Sequence, residues 1–170
     1  MKKEVRLYNV IFPIWLIIFL PTWLWLIIIP GNLVIDLLVS FLALRSVGCA
    51  RPRDVLEKVW WKIWLLGFLA DFIGGVFMLL GMIGPGVLDG YQGDFSKLWE
   101  NTVSQLSHNS FAHPAAFLWT LAAVALAGVC IYFFDKRAMK NCGLEPRQLH
   151  FTALSMAVVT APWLFFVPIY

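Results

Sequence analysis

Residues 60–83 have the sequence WWKIWLLGFLADFIGGVFMLLGMI, which is apolar throughout except for one lysine and one aspartate. A helix needs about 20 mostly apolar residues to cross the roughly 30 Å of hydrocarbon in a bilayer. Trp60 and Trp61, with Lys62 beside them, are typical of a helix end at the membrane surface, where aromatic rings and long basic side chains meet water. This stretch therefore predicts a membrane-spanning helix.

The rest of the chain has the same apolar character. Hydrophobic residues make up 61% of its 170 residues and charged residues 14%, whereas soluble domains have about half and about a quarter. A surface with so few charges would not stay dissolved in water, so we expect lipid to surround most of the chain. The length suits one compact unit, and we predict a single all-α transmembrane domain over residues 1–170.

Apolar segments separated by proline, glycine or charged residues predict a bundle of five transmembrane helices. Pro30-Gly31-Asn32 is a turn motif that ends a helix, so the first two segments form either two spans or one tight, re-entrant hairpin. The first segment lacks the cleavage site of a signal peptide, and we expect it to remain. The approximate spans are residues 9–29, 33–47, 60–83, 114–134 and 150–167.

Twelve of the thirteen Lys and Arg residues fall into three clusters between the apolar segments. Basic residues near the ends of spans stay on the cytoplasmic side, so the N-terminus is predicted inside and the C-terminus outside the cytoplasmic (plasma) membrane. We expect these residues to contact anionic lipid headgroups, at about 1 kcal/mol each, and not nucleic acid. The clusters are Lys2, Lys3 and Arg6; Arg45, Arg51, Arg53, Lys58 and Lys62; and Lys136, Arg137, Lys140 and Arg147.

Residues 84–113 form the one long connection, and their acidic charges predict that it lies outside. Apolar residues at helical spacing predict a short amphipathic helix over 95–106, lying either in the outer interface or as a lid on the bundle. His108 and His113 lie in this loop without the spacing of a metal site. We therefore expect no metal and no cofactor.

Glycines and alanines recur in the third and fourth predicted spans. Rows of small residues let helices approach closely, which is how spans associate in lipid without a hydrophobic drive. These rows serve either packing within the chain or contact with a second copy, as in a homodimer, or with another membrane protein. The residues predicted for helix packing are Gly67, Gly74 and Gly81, which recur every seven residues, with Gly75 and, in the alanine-rich fourth span, Gly128.

Asp71 lies near the middle of the third predicted span. A carboxylate at that depth costs on the order of 3 kcal/mol, and no Lys or Arg lies deep enough in any span to pair with it. We expect it to be protonated and hydrogen-bonded, hydrated by a cavity or bound to a cation, with Ser40 and Thr160 at a matching depth. It acts either as a relay site for protons or cations or as a polar contact that holds helices together.

Asp36 follows the Pro30-Gly31-Asn32 turn motif by about one helical turn. There its negative charge would suit the start of a helix, where unpaired backbone N–H groups carry partial positive charge, and this capping role is the simpler interpretation. If Asp36 instead shares a cavity with Asp71, the two carboxylates form a polar path from the outer surface to the middle of the membrane.

The sequence carries no motif that we can assign to an enzyme family. It has no Gly-rich phosphate loop, no HExxH and no GxSxG. We therefore expect a non-enzymatic protein that transports or senses a proton, cation or small polar solute through a cavity containing Asp71. The alternatives are a membrane subunit, assembly or immunity partner that docks through its glycine and alanine faces, and a lipid-modifying enzyme that uses the external loop and its histidines.

Overall fold

The computed structural model of the chain describes Phe19, residues 23–87, Thr102, Leu106 and residues 109–168. Within this part of the chain there are four α-helices and no β-strand. The helices are α1 (Trp25–Ser46), α2 (Pro52–Val87), α3 (Pro114–Met139) and α4 (Pro146–Val159), and short 3₁₀ helices cover Ser110–Ala112 and Trp163–Phe166.

Among the described residues, four helical segments are long and apolar enough to cross a membrane: α1, α2, α3 and the segment Pro146–Phe166, which joins α4 to the 3₁₀ helix after it. Large apolar side chains such as Leu26 and Leu118 lie exposed on the outside of the bundle, which is expected for a surface that faces lipid. The prediction of an all-helical protein whose helices are long and apolar enough to cross a membrane is therefore confirmed for the described residues. The count of five spans and the orientation of the termini stay predictions.

The helices form an antiparallel bundle in which each packs against two neighbours. α2 contacts α3, α3 contacts α4, α4 contacts α1 and α1 contacts α2. The two short connections lie at the same end of the bundle, because the side-chain amide of Gln148 at the start of α4 donates to the backbone oxygen of Val47 after α1, at 3.3 Å. We call this the basic end, since it carries Arg45, Arg51, Arg53, Lys136, Arg137, Lys140 and Arg147.

Two clusters of buried apolar side chains pack the interior of the bundle. The cluster nearer the basic end includes Leu44, Val59 and Met139. The cluster toward the opposite end includes Met78 and Phe165. Because lipid is as apolar as this interior, close van der Waals packing stabilises the contacts between helices more than exclusion of water does.

α1 runs without a break through Pro30-Gly31-Asn32, so the prediction that these residues end a helix, or turn a re-entrant hairpin, is wrong. Pro30 removes only one backbone donor, whereas a turn surrounded by lipid would leave several backbone groups unpaired at several kcal/mol each. The indole N–H of Trp64 on α2 also donates to the backbone oxygen of Ile29, next to the proline, at 3.3 Å.

The predicted spans 9–29 and 33–47 therefore overlap one helix that begins at Trp25. Residues 9–18 and 20–22 of the first predicted span lie outside the described residues. Of the predicted helix 95–106, the structure describes Thr102 and Leu106, and both are helical and buried.

Two helices extend further toward the basic end than their apolar cores. α2 begins at Pro52, before the predicted start at 60, and α3 continues to Met139, beyond the predicted end at 134. Apolar composition predicts which part of a helix lies in lipid, and not where the helix itself ends. A helix can continue into water, so the charged residues at these ends do not terminate α2 or α3.

The boundaries of α4 follow from its end groups and not from its apolar content. It begins at Pro146, earlier than the predicted 150, and the backbone N–H of Glu145 donates to Oε1 of Gln148 at 3.2 Å, one half of a capping box. It ends at Val159, before the predicted 167, because Pro162 has no N–H to continue the helix.

Candidate functional site

Asp36 lies on the buried face of α1. Asp36, Ser40 and Ala43 follow one another at spacings of four and three residues, which keeps them on one side of the helix. Only 8% of the surface of Asp36 is exposed. Because α1 begins at Trp25, Asp36 lies about three turns inside the helix. The predicted capping of a helix start is therefore wrong, since the unpaired N–H groups are confined to the first turn.

Asp71 lies in the interior of α2, and its Oδ1 atom is fully buried with no hydrogen-bond partner in the described structure. Gly67, one turn before Asp71, faces Asp36 where the two helices meet, because a methyl group built on it would lie 3.4 Å from Oδ2 of Asp36. The two carboxylates therefore belong to one site where α1 meets α2.

A cavity of about 530 Å³ lies between the first half of α1, the middle of α2 and the end of α4. Asp36, Asp71 and Thr160 all line it, and its volume is in the range of pockets that bind small molecules, about 300–1,000 Å³. Ser40 is not part of this lining. It is fully buried, and its hydroxyl donates to Sδ of Met156 at 3.1 Å.

The polar groups at the end of α4 are arranged around Pro162. The hydroxyl of Thr160 donates to the backbone oxygen of Met156 at 2.8 Å. The carbonyl of Val158, which would bond to an N–H at position 162, accepts from the indole of Trp163 at 2.9 Å instead. The proton of the Thr160 hydroxyl is thus already used within the helix, and this side chain offers the cavity only its oxygen lone pairs.

The cavity is therefore rich in hydrogen-bond acceptors. Among the described residues that line it there is no Lys, Arg or His, and the polar side chains besides the two carboxylates are Asn32 and Thr160. Two ionised carboxylates this close would repel each other in a medium less polar than water. A proton, a cation or a ligand with donor groups would relieve that repulsion, and an anion would increase it.

The glycines predicted for helix packing lie at contacts within the chain. A methyl group built on Gly74 would lie 3.1 Å from Cβ of Ala127 on α3, and one built on Gly81 would collide with the ring of Trp119. One built on Gly128 would lie 3.2 Å from the backbone oxygen of Ala157 on α4. Gly75 is also buried. The close approach of α2 to α3, and of α3 to α4, requires glycine at these positions.

Asp135 is a buried carboxylate that lies one residue beyond the predicted fourth span, residues 114–134. It lies inside α3 with 1% of its surface exposed, and its Oδ2 atom has no hydrogen-bond partner in the part of the chain that the structure describes. It follows the buried residues Ala127 and Ile131 at spacings of eight and four, so helical periodicity places it on the inner face. That spacing could have identified it if the helix had been extended past residue 134.

The two described histidines, His113 and His150, are not among the residues that line the cavity. His113 precedes α3, and His150 on α4 is exposed, with its Nδ1 atom hydrogen-bonded to the hydroxyl of Tyr132 at 2.8 Å. His108 lies outside the described residues. Within the described ranges, no group of three or more His, Cys, Asp or Glu residues is arranged to hold a metal ion.

Comparison of the chain with family models, with curated proteins and with solved structures finds no match in any of the three. The function has to be inferred from the geometry of the cavity.

Proposed function

We propose that this protein lies in the cytoplasmic membrane and moves or senses a proton, a cation or a small polar solute through the cavity that contains Asp36 and Asp71. The observation that carries the proposal is that two carboxylates, on different helices, line one cavity between the helices. Intramembrane carboxylates are costly and usually mark the paths of ions or solutes.

The alternative role for these carboxylates, as polar contacts that hold helices together, receives less support. Such contacts stabilise a bundle when each polar group finds a partner. Oδ1 of Asp71 is buried without one among the described residues, and Gly67, which faces Asp36 from α2, has no side chain that could bond to it. A mobile ligand or proton would supply the missing partner.

The orientation that we propose has the basic end in the cytoplasm, near anionic headgroups, as the positive-inside rule requires. Asp36 and Thr160 lie away from that end along α1 and α4. The cavity then lies between the middle of the membrane and its outer surface, and the C-terminus lies outside. With the N-terminus inside, the proposed topology has five spans, of which the first precedes Trp25.

Flux measurements in liposomes test the proposal. We expect Asp71→Asn to reduce proton or cation flux at least tenfold while the helix content, measured by circular dichroism, is unchanged. Asp54→Asn is the matched control, because Asp54 lies exposed at the start of the same helix, 3.7 Å from Arg51. Equal flux in the Asp71→Asn variant and the unmodified protein would rule out a relay role for this carboxylate.

A membrane subunit that docks through its glycine faces is the second candidate. Gly74 and Gly81 contact α3 of the same chain, and Gly67 lies against Asp36, so these faces are already occupied. A homodimer or a complex would need one of the exposed apolar faces instead. Co-purification with a second membrane protein, combined with an absence of flux, would favour this candidate over transport.

A further inference from the structure

The cavity is much larger than a proton or a bare ion requires. Its volume is about 530 Å³, and a water molecule occupies about 30 Å³ in the liquid, so a bare ion would share the space with roughly seventeen waters. Ile27, Ile28 and Ile35 form part of its wall, and aliphatic side chains offer such waters no hydrogen bonds. The wall therefore suits a ligand with apolar groups.

Aromatic rings form another part of the same wall. Trp25, Phe68, Trp163 and Phe165 all line the cavity. The face of an aromatic ring carries negative charge density and attracts cations, and this attraction grows when water is excluded. Rings from three parts of the fold, α1, α2 and the 3₁₀ helix after α4, therefore surround the space next to the carboxylates.

The charges in the cavity have one sign. Asp36 and Asp71 line it, and no basic side chain does so among the described lining residues. Thr160 adds only an acceptor, because its hydroxyl proton is donated to the backbone oxygen of Met156. A ligand held here needs a positive charge for the carboxylates and apolar groups for the remaining wall.

We propose that the ligand of this cavity is an amphipathic organic cation, that is, a quaternary or protonated amine with apolar substituents. Its charge would lie near Asp36 and Asp71, and its apolar groups would pack against the rings of Trp163 and Phe68. This inference rests on the proposed function and names the substrate class of the same site.

Binding of benzyltrimethylammonium to the purified full-length chain in detergent tests the inference by isothermal titration calorimetry. Neopentylbenzene is the matched neutral compound, because it has the same shape with carbon in place of nitrogen. We expect one cation to bind per chain and the neutral compound to bind at least tenfold more weakly. Comparable binding of both compounds would overturn the inference, since the carboxylates would then have no role.

Matched variants separate the carboxylates of the cavity from an acid elsewhere on α2. We expect Asp71→Asn and Asp36→Asn each to weaken binding of the cation at least tenfold. Asp54→Asn should change binding by less than twofold, because Asp54 is exposed at the start of α2 and does not line the cavity. A loss of the same size in all three variants would indicate a general effect of charge and would overturn the inference.

The aromatic wall is tested in the same way. We expect Phe68→Leu and Trp163→Leu to weaken binding several-fold, and Trp60→Leu to leave it unchanged, because Trp60 lies exposed near the basic end of α2. Phe68→Leu is the more direct variant, since Trp163 also bonds to the backbone of Val158. If binding is unchanged in both the Phe68→Leu and the Trp163→Leu variants, the proposal that these aromatic rings contact the cation is overturned.

Combined with the flux measurement, these titrations distinguish the two proposals. If benzyltrimethylammonium does not bind while flux of protons or inorganic cations depends on Asp71, transport stands and the organic cation is excluded. If the cation binds with dependence on Asp71 but neither it nor protons nor inorganic cations cross the liposome membrane, the ligand class stands and transport is excluded.

Discussion

Gly67 of α2 leaves room for the carboxylate of Asp36 on α1, because a methyl group built on the glycine would lie 3.4 Å from Oδ2 of Asp36. That distance is an ordinary van der Waals contact, so position 67 has room for a methyl group beside the carboxylate, and a larger side chain would collide with it. The size of this side chain therefore decides whether Asp36 keeps its place beside the cavity.

We predict that Gly67→Ala retains flux to within about twofold, since its methyl group meets the carboxylate at contact distance. Gly67→Leu should reduce flux at least tenfold, because the larger side chain displaces the carboxylate of Asp36. The measurement is the liposome assay, with helix content as a check on folding. Full flux in the leucine variant would show that the position of Asp36 does not matter.

Gly74 is a contact that tolerates less change. A methyl group built there would lie 3.1 Å from Cβ of Ala127 and 3.2 Å from both the backbone oxygen of Ala123 and a ring carbon of Phe165. We predict that Gly74→Ala lowers the free energy of unfolding by about 1–3 kcal/mol, the usual cost of overpacking. Thermal unfolding in detergent measures this loss.

Gly31→Ala is the control for this variant, because nothing lies within 4 Å of a methyl group built on Gly31. Alanine is also the better helix former, by about 1 kcal/mol in water. The control should therefore unfold at the same temperature as the unmodified protein or slightly higher. If Gly74→Ala behaves like Gly31→Ala, α2 and α3 do not pack as closely as the structure shows.

The helices could be predicted from the sequence because each apolar segment must satisfy its backbone hydrogen bonds internally in lipid. That same requirement explains the main error. Pro30-Gly31-Asn32 is a turn motif in water, where the backbone of a turn is hydrated, but in lipid a continuous helix costs less than a turn. A turn motif that is reliable in soluble proteins therefore predicted the end of the first helix at the wrong place.

The site was predicted in part for a similar reason. Asp71 and Thr160 could be identified by their depth in apolar segments, and both line the cavity. Depth along a helix does not specify which way a side chain points, so Ser40 was grouped with them although it bonds to Met156. Asp135 was missed because the predicted fourth span ends at residue 134, whereas α3 continues past it and Asp135 lies on its inner face.

Asp135 gives a prediction about stability. Its Oδ2 atom is buried without a hydrogen-bond partner in the described ranges, and an unsatisfied buried polar group costs about 1–3 kcal/mol. Asp135→Leu, which has a similar branched shape, should therefore raise the thermal unfolding temperature in detergent. The exposed Asp54, changed to leucine, should shift stability by no more than about 0.5 kcal/mol.

The outcome for Asp135→Leu also reports on its surroundings. A lower unfolding temperature would show that a group outside the described residues pairs with this carboxylate. Unchanged stability with a loss of flux would place Asp135 on the solute path, although it does not line the cavity. A higher unfolding temperature with full flux would show that this carboxylate neither stabilises the fold through a partner nor takes part in solute movement.

The two short connections give a prediction about topology. The bond from Gln148 to the backbone oxygen of Val47 holds them at one end of the bundle, so they must lie on the same side of the membrane in either orientation. Ala50 and Asn141 are exposed in these connections. The labelling experiment uses a chain whose own three cysteines are replaced by serine. A single cysteine introduced at either position can then react with a membrane-impermeant maleimide.

Because the flanking residues are basic, we expect both positions to lie in the cytoplasm. Ala50→Cys and Asn141→Cys should then react in permeabilised cells and stay unlabelled in intact ones. Labelling of both in intact cells would reverse the orientation and place the cavity in the inner half of the membrane, with the fold unchanged. Labelling of only one position in intact cells would contradict the antiparallel bundle. The hydrogen bond between Gln148 and Val47 holds the two connections together, so they cannot lie on opposite sides of the membrane.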